Sequence, residues 1–208
     1  MSIPALVQDL ARHAPEFRRA LRNHKWEATD DGGILFPEQG AIAHGYFTIS
    51  VNGGPEELSK NMLVTEGLNK MLGVHYNADT PISAWYLALF TGNVSVAANW
   101  TAANFAANAT ENTLTTEGYT NATRPAFTPY AAPSAGAISN MDGSGNGKVV
   151  FTFATASSVV VRGCALVSTS TRGGTTGVLN SASRLPADKT LSNGETLAVG
   201  YTIGLTSS

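Results

Sequence analysis

Asp142-Gly-Ser144-Gly-Asn146-Gly147 carries the oxygen-bearing side chains and glycines that open a Ca²⁺-binding loop. Such a loop closes with a bidentate carboxylate at its twelfth position, which here is Phe153. The flanking segments read as extended chain, so the stretch reads as a hairpin turn. His13, His24, His44 and His75 show neither H-E-x-x-H nor H-x-x-E-H spacing. Cys164, the single cysteine, excludes an internal disulfide and a Cys-based zinc site. It lies within a strand-like run and reads as a buried, unreactive thiol. Thr171-Arg-Gly-Gly-Thr-Thr-Gly177 lacks the Gly-Lys-Ser/Thr end of a phosphate loop. Asp30-Asp31 and Glu56-Glu57 fall in turns and read as solvated charge. Sequons begin at Asn93, Asn99, Asn108 and Asn121, but no secretion signal accompanies them. The expectation is a non-enzymatic protein without metal or cofactor.

The elements that carry these residues follow from composition. A length of 208 residues suits one domain with an extension. The 13 basic and 15 acidic side chains leave a net charge of −2, which offers no general grip on nucleic acid. No apolar run reaches the roughly 18–20 residues that span a bilayer. The N-terminus is mixed and amphipathic rather than a signal peptide, so a start in a reducing cytoplasm is expected. Charge is uneven: residues 1–70 hold 7 basic and 9 acidic residues, residues 71–208 hold 6 and 6. The second part interleaves Ala, Thr, Ser, Gly and Asn with short apolar runs, the vocabulary of short strands and tight turns.

Residues 3–23 predict a helix, with Ile3, Leu6, Val7, Leu10, Ala14, Phe17 and Leu21 at steps of three and four. Pro15 predicts a kink or two short helices. The opposite face carries Arg12, Arg18, Arg19, Arg22 and Lys25. Two readings stand: an arm that docks on an acidic partner, or the solvated face of a helix packed on its own domain. In the first reading the partner-binding residues are Leu6, Leu10, Arg12, Phe17, Arg18, Arg19, Leu21 and Arg22.

Turn-rich chain follows to residue 57, with strand-like alternation over Tyr46–Val51. A second helix is predicted over 59–72, striped by Leu58, Met62, Leu63, Leu68, Met71 and Leu72, stopped by Gly73 and weakened by Gly67. Trp85–Phe90 reads as a strand covered on both faces or packed on that helix. Residues 100–107 read as helical turns. Pro125, Pro129 and Pro133 mark an edge. Strands are predicted at 148–154, 158–162, 164–168, 177–180 and 196–205. Phe151, Phe153, Val159, Val161, Leu197, Val199, Tyr201 and Ile203 are the expected core. The fold expected is mainly β: an antiparallel, jelly-roll-like β-sandwich with an N-terminal helical arm and one packed helix. The arm would cover residues 1–57 and the sandwich 58–208, with strands from about residue 82.

Asn61-Met-Leu-Val-Thr-Glu-Gly-Leu-Asn-Lys-Met-Leu72, then Trp85-Tyr-Leu-Ala-Leu-Phe90, then Thr176-Gly-Val-Leu-Asn-Ser-Ala182 and Leu191-Ser-Asn-Gly-Glu-Thr-Leu-Ala-Val-Gly-Tyr-Thr-Ile203 carry a resemblance through their order. That order resembles small structural proteins of tailed bacteriophages, with an NEGL-type helix, a WYL-type strand and a closing L-x-x-G-[DE]-T-L strand. It spans about residues 60–205 and implies no catalytic residue. Some such proteins decorate capsids and others belong to tails. A low-charge, Thr/Ala/Gly-rich sandwich leaves much weakly polar surface that suits repeated protein contact, so the expectation is a capsid decoration (cement) protein on the virion surface, binding the major capsid protein and bridging its subunits, and the resemblance implies a homotrimer. A tail or fibre-base component is the alternative. So is a glycan-binding module stacking sugars on Trp85, Trp100 and Tyr119.

Overall fold

The computed structural model describes residues 27–28, 34–35 and 41–207. The chain divides into two compact units, residues 1–42 with 207–208, and residues 43–206. In the first, β1 (Glu27–Ala28) pairs antiparallel with β2 (Ile34–Leu35). The helix expected over 3–23 lies outside the described residues, as do the eight partner-binding candidates on it.

The second unit is an antiparallel β-sandwich. Its elements begin with β3 (Ala41–Val51), β4 (Glu57–Lys60), β5 (Met62–Leu63) and helix α1 (Thr65–Tyr76). Then come β6 (Trp85–Phe90), helix α2 (Ala102–Ala109), β7 (Gly118–Tyr119), β8 (Ala126–Phe127) and β9 (Ala137–Ser139). The chain continues through β10 (Val149–Ala154), β11 (Val159–Val167), β12 (Leu179–Leu191) and β13 (Thr196–Ser207). One sheet runs β4-β3-β13-β10-β7, with β9 also paired to β13. The other runs β5-β12-β11-β6-β8.

Period-two alternation fixes which side chains meet between the sheets. Phe151 and Phe153 on β10, and Leu197, Val199 and Tyr201 on β13, face Leu87 and Leu89 on β6 and Leu166 on β11. Val159 and Val161 are buried with them, and Ile203 packs on the rim, half-buried. The opposite faces of β6, β11 and β12 place Ala88, Phe90, Ala165, Val167, Leu179 and Ala182 against Trp100 and the Ala102, Phe105 and Ala109 face of α2. The run Trp85–Phe90 is therefore apolar on both faces because two cores need it.

Glu66 joins the helices to the sheet. Its Oε2 accepts the Ala102 N–H at the start of α2 and the Leu179 N–H of β12, each at 2.7 Å. A carboxylate at a helix N-terminus answers an otherwise unpaired donor and the helix dipole. A polar seam closes one edge between the sheets. Ser59 and Ser183 hydroxyls meet at 2.6 Å, and the Tyr201 hydroxyl lies 2.8 Å from both Ser181 Oγ and Asn61 Nδ2.

Several boundaries differ from the sequence reading. The sandwich begins at β3, so residues 43–57 belong to it rather than to an arm. β3 lies between β4 and β13, and its Phe47 and Ile49 are in the core, with the Phe47 ring 4.6 Å from that of Tyr201. The helix expected at 59–72 starts at Thr65, because residues 57–63 form β4 and β5. Leu58 and Met62 face outward there, while Ser59 is buried against Ser183. The helix also runs past Gly73 to Tyr76. Strands expected at 158–162 and 164–168 are one strand with a register shift between Val161 and Gly163. A Cβ on Gly163 would lie 1.8 Å from the Phe90 ring, so glycine lets that ring cross the strand. The strand at 177–180 extends to Leu191, and Pro186 falls within the register shift, where it displaces no ladder pair.

Candidate functional site

The turn at Asp142 is tied to itself. Asp142 Oδ1 accepts the Ser144 and Asn146 N–H groups at 2.8 Å, and Oδ2 accepts from Asn146 Nδ2 at 2.9 Å. These hydrogen bonds hold its carboxyl below the ordinary aspartate value. The loop has the backbone of a turn, closed by its own donors. Burial pushes the Cys164 thiol well above the usual range, which removes the thiolate that a nucleophile requires. Among the described residues, no three His, Cys, Asp or Glu side chains are grouped to hold a metal ion. No described helix is long and apolar enough to cross a membrane.

Sequence reasoning missed a buried charge cluster. Arg124 Nε and Nη2 donate to the two oxygens of Glu111, each at 2.6 Å. Nη1 donates to the Thr169 carbonyl at 3.0 Å, and Gly173 N–H donates to Glu111 Oε2 at 2.8 Å. Beside it, the Arg172 guanidinium lies 3.7 Å from the centre of the Tyr119 ring. Arg172 also donates to the carbonyls of Asn112, Leu114, Tyr119 and Asn121. Burial raises the Tyr119 hydroxyl above the ordinary tyrosine value, so it stays neutral. The two arginines thus pin the Thr171–Gly177 loop to the chain around 111–124. Arg124 and Glu111 are buried, while Arg172 is half-buried. No local spacing signals it, because Glu111 and Arg124 are 13 residues apart on irregular chain.

One surface open to a partner lies on α1; Leu58, Tyr130 and Val150 are exposed elsewhere. Leu68, Leu72 and Tyr76, four residues apart, form an exposed stripe, and Tyr76 is 85% exposed. The inner side of the same helix rests on β12. Two clefts meet at Trp85. One of about 210 Å³ lies between α1 and residues 81–85, with Lys70 and His75 on its wall. The other, of about 380 Å³, opens between the ends of the two sheets. The segments quoted for the phage-protein resemblance form β5, most of α1, β6 and parts of β12 and β13.

The three aromatic side chains of the glycan-module reading are not equivalent. Trp100 and Tyr119 are buried, in the α2-side core and the inter-sheet core respectively. Trp85 alone borders open space. Compared with known proteins, the chain matches no family model and no curated sequence.

Proposed function

We propose that this chain is a non-enzymatic virion structural protein of a tailed bacteriophage, of the capsid decoration (cement) type. In this reading the sandwich sits on the outer surface of the shell and contacts the major capsid protein. Residues before β3 reach a neighbouring subunit, and three copies assemble around a local three-fold axis.

The observation that carries the reading is the exposed Leu68, Leu72 and Tyr76 stripe on α1, on the segment where the resemblance begins. An apolar helix face outside an already complete sandwich suits burial against another protein. The rest of the domain supports a passive role. Its buried charges are paired, its thiol is enclosed, and its longest loops are tied by arginine hydrogen bonds. Many weak contacts repeated over a shell give avidity without any single strong one.

A tail or fibre-base location is the second reading, and the resemblance accommodates it equally. Copy number separates the two. Purified full-length protein, incubated with particles that lack it, is sedimented and counted per particle. Hundreds of copies support decoration, and a few support a tail position. No binding to any particle overturns the virion reading. The glycan reading is left with Trp85 as its stacking face.

A further inference from the structure

Lys70 stands on the wall of the cleft between α1 and residues 81–85, with its side chain 23% exposed. Its ammonium offers three donors. Asp79 Oδ2 lies 3.6 Å away, beyond hydrogen-bonding distance, and no other acceptor meets the ammonium among the described residues. Lys148 and Lys189 are enclosed as well, yet each closes on a glutamate at 2.5 Å. Asp79 is anchored at the end of α1, where its N–H donates to the Gly73 carbonyl at 3.1 Å and its Oδ1 accepts from Asn77 Nδ2 at 3.3 Å. A largely enclosed cation with unused donors favours an anion beside it. The rest of the wall is apolar: Met71 and Val74 come from α1, and Ile82 and Trp85 from the chain opposite. No acidic side chain lines the cleft among the described residues, and His75 stands exposed on its wall. Its volume of about 210 Å³ exceeds the roughly 150 Å³ of an apolar cavity that admits benzene, so one aromatic ring with a short side chain fits.

We infer that Lys70, its donors unpaired on the wall of this apolar cleft, makes the cleft a binding site for a small aromatic carboxylate. The ring fills the space between Met71, Val74, Ile82 and Trp85. One carboxylate oxygen accepts from the Lys70 ammonium, and the other turns toward His75 and solvent. A neutral ring of the same shape gains the apolar contacts but leaves the ammonium as it was, so the acid is preferred. The site is independent of capsid binding, since α1 presents Leu68, Leu72 and Tyr76 outside the lining of the cleft, and either can fail without the other.

Phenylacetate and its neutral isostere phenylacetamide are the probes, titrated separately into the full chain by isothermal calorimetry. Phenylacetate is expected to bind saturably, and phenylacetamide about tenfold more weakly, the usual weight of a hydrogen bond to a charged group. Lys70→Met keeps an apolar stem and removes the charge, so phenylacetate should fall to the affinity of phenylacetamide while phenylacetamide is unchanged. Binding of the amide also reports that this variant is folded. Asp79→Asn removes the competing carboxylate and should tighten phenylacetate without moving phenylacetamide. Absence of saturable phenylacetate binding to the wild type overturns the site. Equal affinities for the two probes in the wild type, or a preference for the acid that survives Lys70→Met, overturn it as well.

Discussion

A Cβ on Gly67 would lie 2.4 Å from the carbonyl oxygen of Asn180, so α1 and β12 meet backbone to backbone. Propensity alone favours alanine in a helix by up to about 1 kcal/mol. Here the added methyl must push the helix off the sheet. Gly67→Ala is expected to destabilise the protein by about 1–3 kcal/mol, the cost of overpacking. Urea unfolding measures it, and a raised midpoint would contradict the contact.

The Arg124–Glu111 pair is almost wholly enclosed, with side chains 1% and 0% exposed. Removing one member leaves the other charged in the interior. Arg124→Met alone is expected to cost about 3–5 kcal/mol. Arg124→Met with Glu111→Leu should recover much of that, because neither charge then remains buried. A double-mutant cycle by denaturant titration reads the difference.

How much of this was legible depends on whether the signal was local. Phe151 and Phe153, or Leu197, Val199 and Tyr201, alternate within their own strands, so their burial is written in a few consecutive residues. The Tyr46–Val51 alternation was equally visible. Assigning it to an arm failed because β3, besides its hairpin partner β4, pairs with β13 at the far end of the chain, and pairing over that separation leaves no mark in the segment. Leu58 and Met62 sit at helical spacing by coincidence; the burial of Ser59 against Ser183 decides the strand. Arg124 and Glu111 depend wholly on non-local approach. The basic face from Arg12 to Arg22 lies outside the described residues.

Acid should loosen two turns before it reaches the core. Asp142 is held below its ordinary value by hydrogen bonds from the Asn146 side chain and backbone. Glu195 is held low by the Ser192 N–H and then by Asn52 Nδ2. A depressed carboxyl contributes stability that is present above its unfolded-state value and lost as pH falls through the folded one. Thermal midpoints should therefore drop on acidification below about pH 4, the ordinary carboxyl range. Asp142→Ala should have a lower midpoint than the wild type at pH 7, and the gap should narrow through that acid window. A gap that is independent of pH would show that the charge of Asp142 contributes nothing.

The N-terminal segment is best separated from the sandwich by two deletions rather than one. Removing residues 1–40 leaves β3 and every element after it in place. Removing residues 1–57 takes away β3, which joins β4 to β13, together with buried Phe47 and Ile49. Each such side chain contributes about 1.5–3 kcal/mol by burial, and the lost strand also leaves one side of β13 unpaired. The longer deletion is therefore expected to unfold or aggregate, and the shorter to keep a β-type circular dichroism spectrum and a cooperative melt. On the capsid reading, the shorter deletion should also weaken particle binding, while the Leu68, Leu72 and Tyr76 contact remains. Burial of Leu6, Leu10, Phe17 and Leu21 would contribute on the order of 6–12 kcal/mol before ordering costs. Exposed pairs made by Arg12, Arg18, Arg19 and Arg22 add about 0–1 kcal/mol each. Reversing the four arginines to glutamate should then slow association at low salt more than it speeds dissociation, whereas Phe17→Ala with Leu21→Ala should act on dissociation. A folded protein lacking residues 1–40 that binds particles with unchanged affinity would leave the binding to the sandwich alone, with Leu68, Leu72 and Tyr76 as the side chains to replace.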